Sequence, residues 1–303
     1  MQSLLPINYN YWQTLKKKSL FIFCFLSLIS FSTKVRSTND TIKIVSWNIQ
    51  MTPNVFSPFT DIARKKQKKR CPKIIQYLNA SEFDIVILQE VFDKKISKEI
   101  QKGLSTRYPY ILSPIKEGFS IKLSSGVMIL SKHPFNLVDH VIFGVSKKVD
   151  KAAQKGCSLI KVNINNKSIL IAGTHLDSKN ELSKKTQYKI LKEKIIDPNI
   201  NDSIPMFLAG DFNTDFSDTT YHEMISVLGL TNSSLEDERP YTFDEFNSWN
   251  NKGHKAWIDF ILYQKTKKIK ISDYYILRPK MQLDKNTIDL ADHYQIILEA
   301  VIY

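Results

Sequence analysis

Carboxylate, amide and imidazole side chains recur in this sequence at one kind of place, the polar end of a short apolar run. Asn48 follows Ile42–Trp47, Glu90 follows Asp84–Leu88 by way of Gln89, and His175 follows Ser168–Ala172 by way of Gly173 and Thr174. Gly210-Asp211-Phe212-Asn213 closes Met206–Ala209, Asp259 stands within Trp257–Tyr263, and Asp292-His293 precede the last apolar stretch. One Asp or His at such a place is ordinarily a turn or capping residue. A series of them with complementary chemistry points instead to a shared site.

That chemistry suits phosphodiester cleavage, in which negative charge builds on the phosphoryl and leaving oxygens. Hard oxygen donors such as Glu90 and Asn48 suit a divalent cation that neutralises this charge. His293 is a proton acceptor suited to neutral pH, and Asp259 is placed to fix its tautomer. His175 is a hydrogen-bond donor for crowded phosphoryl oxygens. No cysteine or histidine spacing in the chain reads as a zinc site.

The apolar runs that carry these groups, together with Gly126–Leu130 and Ser158–Ile164, are short and rich in β-branched residues, so they read as buried strands. Asn165 and Asn166 separate two of them and predict a hairpin turn. Helical spacing appears at Ile74, Ile75 and Leu78 with Pro72 as a first-turn residue. It recurs from Ser183, taken as the N-cap, to Ile196, and again after Asp218, with Met224, Ile225 and Leu228 on one face. Strands interleaved with helices predict an α/β layered sandwich.

The ordered set Ser46-Trp47-Asn48, Leu88-Gln89-Glu90-Val91, Ser125-Gly126-Val127-Met128, Gly173-Thr174-His175-Leu176, Gly210-Asp211-Phe212-Asn213, Ile258-Asp259-Phe260 and Ala291-Asp292-His293 resembles the endonuclease/exonuclease/phosphatase superfamily. The resemblance implies a four-layer α/β/β/α sandwich of two mixed sheets, the DNase-like fold. It also implies Glu90, Asn48 and Asp292 as metal groups, Asp211 and Asn213 as the pair that positions nucleophile and phosphoryl group, His175 as transition-state donor, and His293 as general base oriented by Asp259. The implied cofactor is Mg2+, with Mn2+ or Co2+ as alternatives. Leu88-Gln89-Glu90-Val91-Phe92-Asp93, Lys155-Gly156-Cys157 and Leu277-Arg278-Pro279-Lys280 are similar to segments of secreted bacterial neutral sphingomyelinases, which implies hydrolysis of sphingomyelin to ceramide and phosphocholine. The sequence departs from that subfamily at Met281–Leu290, where relatives carry an aromatic-tipped hairpin and this chain has no aromatic residue. Ala291 and Gln295 also differ from the usual Ser and Pro.

The 303 residues are 43% hydrophobic and 24% charged, as in a globular domain, with no internal repeat or linker. Lys16–Lys18 followed by the apolar run Leu20–Phe31 has the layout of a secretory signal, read as residues 1–37 ahead of a catalytic domain at 38–303; an uncleaved membrane anchor is the alternative. Residues 1–37 hold five basic and no acidic residues, so their removal lowers the formal charge from +13 to +8. The basic balance favours anionic partners: a sphingomyelin-bearing phospholipid surface, or nucleic acid if the chain is a nuclease. A phosphoinositide or other phosphoester phosphatase is a further alternative, and a monomer is expected. The tract Arg64 to Arg70 reads either as a solvated face or as a docking patch. Cys71 and Cys157 stand either as one disulfide or as two buried thiols.

Overall fold

On β1 (Asp40–Met51) side chains alternate between two cores: Ile42 and Ile44 point to one, while Val45, Trp47, Ile49 and Met51 point to the other. That alternation sets the layering of the computed structural model, which describes residues 40–303 apart from 54–60, 120, 147 and 251–252. The expected export signal lies outside the described residues.

The first sheet runs, edge to edge, β10 (Ile269–Leu277), β13 (Gln295–Ile302), β1, β2 (Ile85–Val91), β4 (Met128–Ser131) and β3 (Tyr110–Leu112). The second runs β5 (Phe135–Ile142), β6 (Gly156–Ile164), β7 (Lys167–His175), β8 (Met206–Asp211) and β9 (Asp259–Tyr263). β1 and β2 are parallel, as are β7 and β8, while their other neighbours are antiparallel, so both sheets are mixed. Ile42, Ile44, Ile85, Ile87 and Ile129 of the first sheet share a core with Leu159, Ile171 and Leu208 of the second.

Two helices, α1 (Asp61–Ala80) and α2 (Lys94–Leu104), cover the outer face of the first sheet, where Ile74, Leu78, Ile100 and Leu104 pack on Trp47, Val86 and Leu88. α3 (Glu181–Ile190), which runs on through a π turn at Leu191–Ile196, and α4 (Thr219–Leu228) cover the second. The four-layer α/β/β/α sandwich expected from the sequence is present.

The hairpin expected at Asn165-Asn166 joins β6 to β7, with both residues at positive φ (46° and 68°). Two helix starts differ from expectation. Asn180, not Ser183, caps α3: its Oδ1 accepts from the backbone N–H of Ser183. Pro72 lies inside α1 rather than in its first turn. α2 was not foreseen; Asp93 caps it by accepting from the N–H groups of Lys95 and Ile96. Met281–Leu290 does form a hairpin, β11 (Lys280–Leu283) with β12 (Asn286–Asp289), turning at Asp284 with φ +55°. Cys71 and Cys157 are free, buried thiols in different cores.

Candidate active site

Strand register brings the site together before any side-chain contact is considered. His175 pairs with Asp211 across β7 and β8, and Asp211 pairs with Asp259 across β8 and β9. The three side chains therefore form a row at one end of the second sheet. Gly210 lets β7 and β8 lie close at this point, because a Cβ there would sit 2.1 Å from the carbonyl oxygen of Thr174. On the facing sheet Asn48 pairs with Gln89, and its Nδ2 reaches across to donate to Asp211 Oδ2 at 3.0 Å.

Asp211 Oδ2 is the meeting point. His175 Nε2 lies 3.5 Å from it and His293 Nε2 3.9 Å from it. The other ring nitrogen of His293, Nδ1, is 2.9 Å from Asp259 Oδ2, and the ring packs beside Phe243 at 5.2 Å between centroids. Trp47 Nε1 donates to the His293 carbonyl oxygen at 3.0 Å and fixes its backbone. Asp259 is fully buried, and its strand start is held by backbone N–H groups of Ile258 and Asp259 donating to Thr242 Oγ1. Asn213 sits at φ +49° with its N–H donating to Asp211 Oδ1 and its Nδ2 to Leu176 O. Glu90 also takes up the left-handed region, at φ +60°, and its Oε2 accepts from Thr52 Oγ1 at 3.0 Å. Non-glycine residues in that region cost of order 1 kcal/mol and cluster at functional sites.

The electrostatics follow from this crowding. Burial, reinforced by the like charge of Asp259, pushes the Asp211 carboxyl up to about 6. Burial does the same to Asp292, aided by Glu90 and opposed by His293 and Arg70, and brings it to about 6. Burial works against a charged His293, yet Asp259 and Asp211 outweigh it and raise that imidazole well above its ordinary value. His175 moves the other way: burial, then the Lys155 ammonium, hold it well below the usual imidazole range, so it is neutral.

Two groups in this region were not legible as site residues. Lys155, almost fully buried, donates to Leu176 O at 2.7 Å, pairs with Asp150 Oδ1 at 2.6 Å and reaches His175 Nε2 at 3.0 Å. An ammonium only donates, so His175 Nε2 accepts and the ring proton sits on Nδ1, a buried atom without a partner. The positive charge at this corner of the site is Lys155, its three N–H groups taken by Leu176, Asp150 and His175. The Lys155-Gly156-Cys157 motif marked the segment, but nothing in it announced the contact. Arg70 closes the basic tract yet is itself buried. Its Nε donates to Leu290 O at 2.8 Å and its guanidinium also reaches Ile49 O and Gln50 Oε1, which ties β1 to the backbone just before Asp292. The tract is thus neither a uniform solvated face nor a uniform patch.

Oxygen donors for a cation are present. Asp292 Oδ1 and Asp259 Oδ1 are buried without hydrogen-bond partners, and Glu90 acts on Asp292 through its charge. Among the described residues, Asp211, Asp259 and His293 bring ligand atoms within 4.8 Å of one another, a cluster able to hold a divalent ion. A cleft of about 200 Å³ opens onto this end of the sheets, lined by Thr52, Glu90, Phe92, Leu123, Asp150 and Lys155 among others. Gly126 at φ +73° lets the Phe92 ring lie against the backbone there; a Cβ would sit 2.4 Å from the ring.

Comparison with known proteins places this architecture. The chain is 23% identical over 253 residues to a Sphingomyelinase C of Leptospira interrogans, covering 75% of this chain and 45% of that one, so it spans less than half of that relative's length. It is 24% identical to a Sphingomyelinase C of Listeria ivanovii, covering 76% of this chain and 79% of the relative. Its fold is similar to the solved Sphingomyelinase C from Streptomyces griseocarneus, with TM-score 0.72 and 20% identity over 86% of this chain and 99% of that one. It is equally similar, at TM-score 0.72 and 20% identity over 87% of this chain and 100% of the other, to a beta toxin mutant from Staphylococcus aureus solved with bound magnesium ions. The model of the Endonuclease/Exonuclease/phosphatase family matches residues 45–279, more than half of the sequence, and the chain belongs to that family.

Proposed function

We propose that the chain is a divalent-metal-dependent phosphodiesterase that hydrolyses sphingomyelin to ceramide and phosphocholine. The observation that carries the hydrolytic reading is the convergence on Asp211 Oδ2 of Asn48, His175 and His293, with Asp259 on the far nitrogen of His293. The relatives named Sphingomyelinase C support the substrate.

In this reading Asp259 fixes the ring of His293 so that Nε2 faces the reacting centre, and the deprotonated ring, whose share grows as pH rises because burial is outweighed by Asp259 and Asp211, which favour its charged form, takes a proton from the attacking water. Asp211, held by Asn48 and by the N–H of Asn213, orients that water. Asn48 offers the second N–H of its amide toward the phosphoryl oxygens, and Lys155, its three N–H groups held by Leu176, Asp150 and His175, adds a fixed positive charge beside them, a preorganised charge complement of the kind that lowers barriers most. Glu90, Asn48 and Asp292 would hold a hard cation such as Mg2+, which supplies charge neutralisation at phosphoryl and leaving oxygens when bound. The domain is read as residues 38–303, exported behind the signal at 1–37 and acting as a monomer. Among the described residues no helix is long and apolar enough to cross a membrane.

A groove beside the cleft lined by Lys94, Lys98, Lys116 and Lys122 favours a second reading, a nuclease. The test is one purified protein with Mg2+ assayed on sphingomyelin vesicles, DNA and phosphoinositide. Phosphocholine release is expected; DNA cleavage without phosphocholine release overturns the lipid reading.

A further inference from the structure

Phe119 and Ile121 are fully exposed and belong to neither core. Solvated large apolar side chains occur singly without consequence, but here two lie two residues apart in one loop, and Ile121 lines a groove of about 430 Å³ whose walls include Lys94, Lys98 and Lys116. The groove shares Phe92 and Leu123 with the cleft that holds Glu90 and Lys155, so it is continuous with the candidate active site. The nearby carboxylates are engaged: Asp93 caps α2 through the N–H groups of Lys95 and Ile96, and Glu117 lies 2.8 Å from His140 Nε2. Asp93 is the one carboxylate among the described residues of the groove lining, so with Lys94, Lys98 and Lys116 beside it the wall is net basic.

We propose that this surface docks the protein on an anionic lipid membrane, with Phe119 and Ile121 entering the acyl region and Lys94, Lys98 and Lys116 facing acidic headgroups. The proposal rests on the reading that the substrate lies in a phospholipid surface, and it specifies how that surface is met. Apolar side chains at a tip flanked by lysines match an interface that is apolar inside and anionic at its rim. A nucleic-acid groove also uses lysines, and a phenylalanine can stack on a base, but isoleucine has no π face to offer one. The hairpin β11–β12 does not compete for the role, since its turn is Asp284 and Lys285 and the exposed Asp284 carboxylate faces Lys69 Nζ at 3.4 Å. Docking is thus moved from the hairpin before Asp292 to the loop between β3 and β4.

The experiment is sedimentation with vesicles of phosphatidylcholine alone and of phosphatidylcholine with phosphatidylserine, run beside hydrolysis of the soluble diester bis(p-nitrophenyl) phosphate. The wild-type chain should bind the anionic vesicles and be released by salt. The double variant Phe119→Ala/Ile121→Ala should bind at least about tenfold more weakly, since two large apolar side chains are withdrawn from the bilayer. Lys98→Glu/Lys116→Glu should bind more weakly still and lose its salt sensitivity. All of these should melt like wild type, because the altered side chains are on the surface, and should turn over the soluble diester at an unchanged rate. Wild-type vesicle binding by the Phe119/Ile121 variant overturns the proposal, as does a wild-type protein that binds DNA and not vesicles. If vesicle binding follows the expected pattern while no variant, nor the wild type, hydrolyses either diester, docking stands and the phosphodiesterase reading fails.

Discussion

Replacing Lys155 with Met separates the two jobs the structure gives that ammonium. It is 3% exposed at the side chain, its partner Asp150 is 11% exposed, and their charged atoms are 2.6 Å apart. Breaking a buried pair from one side costs about 3–5 kcal/mol, because the remaining charge is left desolvated and alone. Here Asp150 Oδ2 keeps the N–H and hydroxyl of Ser178, and the pair lines a cleft open to water, so about 2–3 kcal/mol is the better figure. For a domain of this size that lowers Tm by about 4–6 °C. The catalytic job is independent of that sum. Without the ammonium, His175 Nε2 has no fixed donor and the site loses a fixed positive charge beside the phosphoryl position, a loss of roughly 10²–10³ in turnover. Removing both charges, with Asp150→Asn/Lys155→Met, should recover most of the melting temperature, since no lone buried charge remains, while recovering none of the turnover. Differential scanning calorimetry and single-substrate kinetics on a soluble diester read the two effects separately. A single variant that melts lower but hydrolyses normally would make Lys155 a structural residue only; a double variant that regains turnover would show that the loss came from misfolding around Asp150.

Other substitutions probe the remaining parts of the site. Glu90→Gln should leave the melting temperature near wild type while raising the Mg2+ concentration needed for half-maximal rate, and exhaustive chelation of the wild type should abolish turnover; full activity after chelation would remove the cation from the reaction. His293→Ala should lower turnover by roughly 10²–10⁴-fold and erase the acidic limb of the pH–rate profile, whereas a structural histidine would instead show as easier unfolding with near-normal rate. For stability, burial acts to raise Glu299, but the Lys43 and Tyr275 hydrogen bonds outweigh it and hold Glu299 below its ordinary 4.5; Arg278 does the same for Asp237 against its 3.8. A carboxylate lowered on folding contributes stability above its unfolded value and loses it as pH falls through the folded one, so Tm should decline below about pH 4.5, less steeply in Glu299→Gln. Identical pH profiles of Tm for wild type and Glu299→Gln would contradict this.

The sequence exposed those parts of the site that are made by strands ending. A strand that is buried on both faces must be apolar, so the first carboxylate or imidazole beyond it is conspicuous, and register alone then places His175, Asp211 and Asp259 side by side. The groups that stayed hidden are those whose partners lie far away in the chain and whose type has a bland default. Lys155 and Arg70 are basic residues in a basic protein, and only burial distinguishes them from their solvated neighbours. Ser183 and Asn180 are both good caps, and the choice between them turns on which residue's oxygen meets the first free N–H, a matter of one turn of backbone that composition does not fix. The hairpin at Lys280–Asp289 could be read for its lack of aromatic residues, but the apolar pair that takes over the exposed role, Phe119 and Ile121, sits in a loop with no periodicity to say which way a side chain points. Catalytic chemistry in this fold is therefore written where regular structure stops and one residue type suffices. The choice of surface is written where regular structure is absent, and becomes legible only when the loop is seen beside the cleft it borders.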